Sequence, residues 1–234
     1  MATRTPAAST PGASGGADAF ATVAGADAMA AFTARANPRS YARGEALMHA
    51  GQVPREVFLL RSGRVKVSAA TEAGRHFLLA VRGPGDLVGE LSALDDQPRS
   101  ATIEALEPVS ALVIRHEDFR ALLTAHPPLA LGLLRMLSAR LRDADAKRLQ
   151  LGGYTTLGRV AFCLLELCDR FGESRDDAVD ILLPLSQEEL AGWAGSSLES
   201  VARALGQMRE LGWIETRRRG IRVLDRAALT RATA

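Results

Sequence analysis

Between Tyr41 and Ile114 the chain repeats one short pattern, an apolar run followed by a glycine or proline turn, and beyond Pro127-Pro128 that rhythm stops. The runs are Val57-Phe58-Leu59-Leu60, Arg64-Val65-Lys66-Val67, Phe77-Leu78-Leu79-Ala80-Val81, Ala101-Thr102-Ile103-Glu104-Ala105 and Ala111-Leu112-Val113-Ile114. Turn residues fall at Gly44, Gly51, Ser62-Gly63, Gly74, Gly83-Pro84-Gly85 and Pro108. Runs this short and this regularly punctuated predict an antiparallel barrel or jelly-roll-like β-roll. After residue 128 the apolar period becomes helical: Leu134, Leu137, Leu141, Ala144, Arg148 and Leu151 step by three and four. The opposite face carries Arg135, Arg142, Asp143, Asp145 and Lys147. So narrow a stripe suits pairing with a second copy better than burial in its own domain. Arg148 interrupts it where paired helices would splay, and Gly152-Gly153 supplies a hinge.

The expected fold class is therefore α+β, in four parts: a leader over 1–25, a β-roll over 26–128, a dimerisation helix with its hinge over 129–153, and a further domain over 154–234. The leader is rich in Ala, Gly, Ser, Thr and Pro, too poor in large apolar side chains to offset ordering entropy, and is expected to be disordered. Ala26 to Ala36 reads as a short helix ending before Pro38.

In the last domain, Leu157 to Phe171 reads as an apolar helix ended by Gly172, and Glu173 to Ala178 as a charged loop. Ser186-Gln187-Glu188-Glu189 fits a capping box, in which the serine hydroxyl caps the helix start and the glutamate three residues on reaches back. Gly195 breaks that helix, and Ser197 caps a second one from Leu198 to Glu210 with Val201, Ala204, Leu205 and Met208 inward. Two capped helices around a glycine turn make a helix-turn-helix. The stretch Ile214 to Leu224, with Arg217-Arg218-Arg219, reads as the basic β-hairpin of a winged helix. On the second helix Glu199 and Arg203 lie four apart, with Ser200 between, so Arg203 can donate to guanine and Glu199 accept from cytosine. A surface ion pair is the alternative for the same spacing.

The net charge of +2 hides a cluster of Arg209, Arg217, Arg218, Arg219, Arg222, Arg226 and Arg231 near the C-terminus. That cluster suits a polyanion, with a solvated basic tail as the alternative. Cys163 and Cys168 fall in one apolar helix and read as buried thiols, which together with the lack of a secretory signal points to a reducing cytoplasm. No apolar run reaches the length of a membrane span. No nucleophile–base pair, metal-spaced cluster or nucleotide-hydrolysis loop is found in the sequence, so an enzyme is not expected.

The remaining motif is Val88-Gly89-Glu90-Leu91 followed by Arg99-Ser100-Ala101. A glycine turn, a carboxylate and a guanidinium are the parts of a buried site for a small anion. With Gly51, Gly63, Gly85-Asp86 and the helix-turn-helix, this motif resembles the CRP/FNR family of bacterial transcription regulators over about residues 28 to 225. The resemblance implies that Glu90 bonds a ribose hydroxyl, that Arg99 and Ser100 hold a cyclic phosphate within a pocket formed with Gly89 and Leu91, and that Arg140 approaches Glu90 from the long helix. The two family positions that contact the base fall on Ala144 and Asp145. Ala144 cannot hydrogen-bond a base, and Asp145 offers only acceptors. The effector is thus left open between cyclic AMP, another cyclic nucleotide, and none, with a vestigial pocket.

The implied DNA contacts are Ser186, Gln187, Ser197, Leu198, Glu199, Ser200, Arg203 and Arg218, with Leu198 standing where receptor-type members carry an arginine. The implied partners are double-stranded DNA as a homodimer and RNA polymerase, without a membrane. Iron–sulfur sensing needs four cysteines that the chain lacks, and His49, His76, His116 and His126 match no haem-ligating motif, so neither metal nor haem is expected. A cyclic-nucleotide-binding regulatory subunit is the rival from another class, and residues 186–224 argue against it.

Overall fold

The computed structural model describes residues 19–70, 76–183, 185–217 and 220–233. Two short helices, α1 (Phe20–Val23) and α2 (Ala26–Thr33), precede β1 (Asn37–Tyr41), β2 (Ala46–Met48), β3 (Glu56–Ser62), β4 (Val65–Ala70), β5 (His76–Arg82) and β6 (Leu87–Val88). Then come α3 (Glu90–Asp95), β7 (Thr102–Ala105), β8 (Val109–Arg115), α4 (His116–Ala125) and the long α5 (Pro127–Gly153). The rest is α6 (Thr156–Phe171), β9 (Gly172–Arg175), β10 (Ala178–Ile181), α7 (Gln187–Trp193), α8 (Leu198–Glu210), β11 (Ile214–Arg217), β12 (Gly220–Val223) and α9 (Arg226–Ala232).

The expected roll is two four-stranded antiparallel sheets, ordered β1-β8-β3-β6 and β2-β7-β4-β5. Strand β3 shows why its sequence is an unbroken apolar run. Phe58 and Leu60 face the other sheet, whereas Val57 and Leu59 face the helices, so both faces of the strand are buried. Gly63 turns β3 into β4 at φ +76°, and a Cβ there would lie 2.3 Å from the Pro108 carbonyl oxygen, a separation no side chain tolerates.

Helices α1, α2, α4 and α5 cover the outer face of the first sheet around Phe20, Phe32, Phe119, Leu129, Leu133 and Met136. This corrects the leader expected over 1–25. Residues 1–18 lie outside the described residues, but Ala19 to Ala24 fold, with Phe20 fully buried edge-on to Phe32 at 6.3 Å. The Ala21 N–H also donates to the Gly85 carbonyl, which ties α1 to the β5–β6 turn. One large ring among small residues was enough to anchor the segment.

On α5, Leu129, Leu133, Met136 and Ala139 point into the roll, and Leu131, Leu134 and Leu141 stand out of it, 47%, 61% and 63% exposed. Of the predicted seam, Leu137 is part-buried against the chain's own core, and Ala144 and Arg148 are exposed. The side chain of Leu151 is outside the described set.

The C-terminal domain packs α6, α7, α8 and α9 on the sheet β11-β12-β10-β9. Thr155 caps α6, accepting from the Gly158 N–H. Cys163 and Cys168 are buried and unpaired on this helix. Burial raises their thiols to about 12 and about 11, which keeps them protonated and inert. The charged segment expected as a loop from Glu173 to Ala178 is instead the hairpin β9–β10, turned at Asp176 with φ 55°. Leu78, Val81 and Leu106 of the roll join this domain's core, so the two domains share apolar contacts. Among the described residues no helix is long and apolar enough to cross a membrane.

Replacing Phe20 by Ala should cost about 3–5 kcal/mol, the range for deleting a buried aromatic ring, read as a lower urea midpoint. An unchanged midpoint would show that residues 19–24 add nothing to the fold.

Candidate functional site

Gly89 ends β6 in the left-handed conformation, φ +81°, and sets Glu90 at the start of α3. A Cβ on Gly89 would meet Met48 Cε at 2.7 Å and Arg99 Nη1 at 2.9 Å, so only glycine lets Arg99 approach this closely. Arg99 is 6% exposed. Its Nη1 donates to the Gly89 carbonyl at 2.6 Å, and its Nη2 donates to the Glu56 carbonyl. Burial lowers the Arg99 pKa, against the pull of Glu90 and Glu56.

Glu90 is 4% exposed and meets Arg140 of α5, whose Nη1 donates to Glu90 Oε1 at 2.8 Å. Arg140 Nη2 donates to the Leu87 carbonyl at 2.8 Å and lies 3.5 Å from Asp86 Oδ1. Arg82 sits in the same charged group. Burial lowers it to about 10, with like charge from Arg140 adding to the effect and Asp86 opposing it.

Gly89, Glu90, Arg99 and Arg140 are thus brought together. Leu91 is 48% exposed on α3, and Ser100 is exposed beside Arg99. Ala144 and Asp145 lie a turn beyond Arg140 on the exposed part of α5. Asp86, quoted in the sequence only as half of a Gly-Asp turn, proves to be a partner of Arg140. Arg82 carried no sequence signal of its role.

The helix-turn-helix forms as its caps require. The Ser186 hydroxyl accepts from the Glu189 N–H, and Glu189 Oε2 accepts from the Ser186 N–H. The Ser197 hydroxyl accepts from the Ser200 N–H at the start of α8. Gln187 opens α7, and Leu198, Glu199, Ser200 and Arg203 lie on the first two turns of α8. Leu198 is 50% exposed. Arg203 and Glu199 are 73% and 82% exposed and form a loose pair at 4.0 Å, and Arg203 Nη2 donates to the Ser200 hydroxyl at 3.4 Å.

Arg218 lies outside the described residues. Its wing neighbours Arg217 and Arg222 are held by Asp180, a nearly buried carboxylate on β10, at 3.4 and 3.9 Å. The C-terminal basic cluster is therefore partly neutralised: Arg226 pairs with Asp169, and Arg231 with Asp225.

The two units also touch through charge. Lys66 of β4 lies 2.9 Å from Glu104 and 2.7 Å from Glu189, the capping residue of α7. Beside this contact a cavity of about 520 Å³ opens between the second sheet and α7, lined by Arg43, Ser68, Thr102, Ser186 and Glu188 among others.

Residues 38–126 match the cyclic nucleotide-binding domain family, and residues 158–232 match the Crp-like helix-turn-helix domain. The chain is 32% identical over 204 residues to the CRP-like cAMP-activated global transcriptional regulator of Mycobacterium tuberculosis, covering 87% of this chain and 91% of that protein. It is 34% identical over 174 residues to the cyclic AMP receptor protein of Thermus thermophilus, covering 74% of this chain and 77% of that one. The solved structure of FixK2 from Bradyrhizobium japonicum superposes with a TM-score of 0.72 at 26% identity, over 85% of this chain and 98% of that one.

Burial pushes the Glu189 carboxyl up, but its hydrogen bonds with Lys66 and with the Ser186 N–H outweigh burial and leave it below the ordinary carboxylate value. A lowered folded-state pKa gives stability that is present above the ordinary value and lost as pH falls through the lowered one. The gap in urea midpoint between wild type and Glu189→Gln, which keeps a capping acceptor, should shrink between pH 7 and pH 3. A constant gap would remove the ionised carboxylate from the contact.

Proposed function

Since the chain belongs to the CRP/FNR family of transcription regulators, we propose that it acts in the cytoplasm as a homodimer that binds a near-palindromic DNA site under control of a cyclic nucleotide in its β-roll. The observation that carries the reading is the 2.8 Å pair between Glu90 and Arg140. It joins a residue of the pocket motif to the helix that would form the dimer axis, so whatever binds at Glu90 acts on that helix. The name of the Mycobacterium relative includes activation by cyclic AMP, which makes cyclic AMP the first ligand to test.

The outward leucines of α5 supply the dimer surface. Leu131, Leu134 and Leu141 form an exposed apolar stripe with heptad-like spacing, and such a stripe is buried when two copies pair. Two-fold symmetry would then set two α8 helices about one DNA turn, roughly 34 Å, apart. Glu199 and Arg203 would read base edges, Leu198 would pack on a thymine methyl, and the N-termini of α7 and α8 would hold phosphates at Ser186, Gln187 and Ser197. A regulator bound this way would act through RNA polymerase.

One observation favours a second reading, DNA binding without an effector. Arg99 and Glu90 are already satisfied by partners within the chain, and Ala144 offers a base no hydrogen bond. Calorimetric titration with cyclic AMP and cyclic GMP, alongside DNA affinity at fixed salt, separates the two. Binding of one nucleotide that tightens DNA binding is expected. Tight DNA binding with neither nucleotide bound would favour the second reading.

Arg99→Ala should abolish the nucleotide response and leave the fold intact, so a normal response would exclude Arg99 from the phosphate site. Arg203→Ala should cost about 1–3 kcal/mol at its guanine. An unchanged set of selected DNA sites would remove Arg203 from base readout. Leu134→Asp should turn a dimer into a monomer in sedimentation, and a dimer that persists would place the interface elsewhere.

A further inference from the structure

The charged group at Glu90 does not stop at Arg140. Asp86, on the β5–β6 turn, divides its carboxylate between two arginines from different parts of the chain. Oδ1 lies 3.5 Å from Arg140 of α5, and Oδ2 lies 3.8 Å from Arg170 of α6 while accepting the Gly83 N–H at 2.9 Å. Arg170 is equally undecided, since Glu166 Oε1 on its own helix lies 3.7 Å away. Neither of these ionic contacts is short enough for a hydrogen bond, and the guanidinium also lies over the Phe171 ring, 5.5 Å from its centroid. Glu166 Oε1 is already engaged by Lys147 of α5 at 2.7 Å, whereas Glu166 Oε2 is buried without a hydrogen-bond partner. The row Glu90–Arg140–Asp86–Arg170–Glu166 therefore runs from the pocket motif into the DNA-binding domain. It ends on an open acceptor.

We propose that Asp86 is the junction coupling the pocket to the DNA-binding domain, with Arg140 and Arg170 competing for its carboxylate. The proposal rests on the nucleotide reading given above for the identity of the ligand, but not for the existence of the junction. A hydroxyl donated to Glu90 draws on the negative charge that now holds Arg140 at Oε1 and so weakens that pair. Arg140 then closes on Asp86, whose charge it neutralises, and Arg170 drops onto the open Glu166 Oε2. With that shift α6 loses its ionic link to the β5–β6 turn, and the domain carrying α7 and α8 is free to re-aim. The loose contacts make the exchange cheap, because no short bond has to be broken at Asp86. Asp86 and Arg170 are positioning residues here, since neither needs to touch ligand or DNA.

The test uses the whole chain given by the sequence and its Arg170→Gln variant, with Arg170→Lys as the charge-preserving control and circular dichroism as the fold check. Cyclic AMP affinity without DNA should change less than threefold. The ratio of DNA affinities with and without saturating cyclic AMP, expected at about 5- to 150-fold for a coupled pair of sites, should fall toward one in Arg170→Gln and recover in part in Arg170→Lys. A full ratio in Arg170→Gln would overturn the proposal.

A second measurement needs no ligand. Glu90→Gln frees Arg140 directly, so amide exchange at the C-terminal end of α6 and at Gly83 should quicken several-fold, and it should not quicken in an Arg170→Gln background. Exchange in α6 that ignores Glu90→Gln would overturn the junction. If cyclic nucleotides fail to alter DNA binding while exchange still passes from Glu90 to α6, the ligand reading fails and the junction is supported.

Discussion

A buried carboxylate stays ionised only where a cation or hydrogen-bond donors offset its desolvation. Glu90 is such a group, and Arg140 is its cation. Much of the architecture follows from that pair. It holds α5 beside the β6–α3 turn, while Gly132 lets the end of α1 approach the same helix: a Cβ there would lie 2.7 Å from Ala24 Cα. With Leu129, Leu133 and Met136 committed inward, Leu131, Leu134 and Leu141 are left exposed on α5 among charged residues. The same ion pair thus ties the pocket motif to the long helix.

The C-terminal domain is attached to the roll by two unlike kinds of contact. One is apolar, where Leu78, Val81 and Leu106 enter the core of α6 and α7. The other is ionic, at Lys66–Glu189 and around Asp86. Apolar contact is non-directional and tolerates sliding, whereas charge pairs select one register and can exchange partners. A domain held in this way can turn without dissociating, which is what a ligand-controlled reader of DNA requires. Any such control still depends on the ligand favouring one arrangement over the other.

Local signals carried most of what the sequence revealed. The roll was legible because its strands are short and its turns are marked by glycine, and the helix-turn-helix because Ser186, Glu189 and Ser197 are caps whose geometry is written in adjacent residues. Strands β1, β2 and β6 escaped notice, being polar, brief or built on Pro38 at a sheet edge. Helix α4 carried readable cues, Glu117 and Asp118 in its first turn and Phe119 and Leu122 on one face, that went unused. The hairpin β9–β10 could not be read locally, since Arg175, Arg217 and Arg222, which meet the buried Asp180, come together only in the fold. At the site, Gly89, Glu90 and Arg99 were legible as a motif. The roles of Arg82, Asp86 and Arg170 were not, because the charges they answer lie on distant elements.

The account stands most directly on reciprocity between its two sites. If the pocket and the DNA reader bias one equilibrium, DNA must change nucleotide affinity by the same factor as nucleotide changes DNA affinity. Cyclic AMP affinity should therefore be measured on the free protein and on the protein saturated with a DNA site selected from a random pool, at one salt concentration. The account predicts tighter nucleotide binding on DNA, by the factor seen in the opposite direction. Equal nucleotide affinity in both states would contradict it, and would leave the β-roll and the winged helix as two domains that share a chain without sharing a signal.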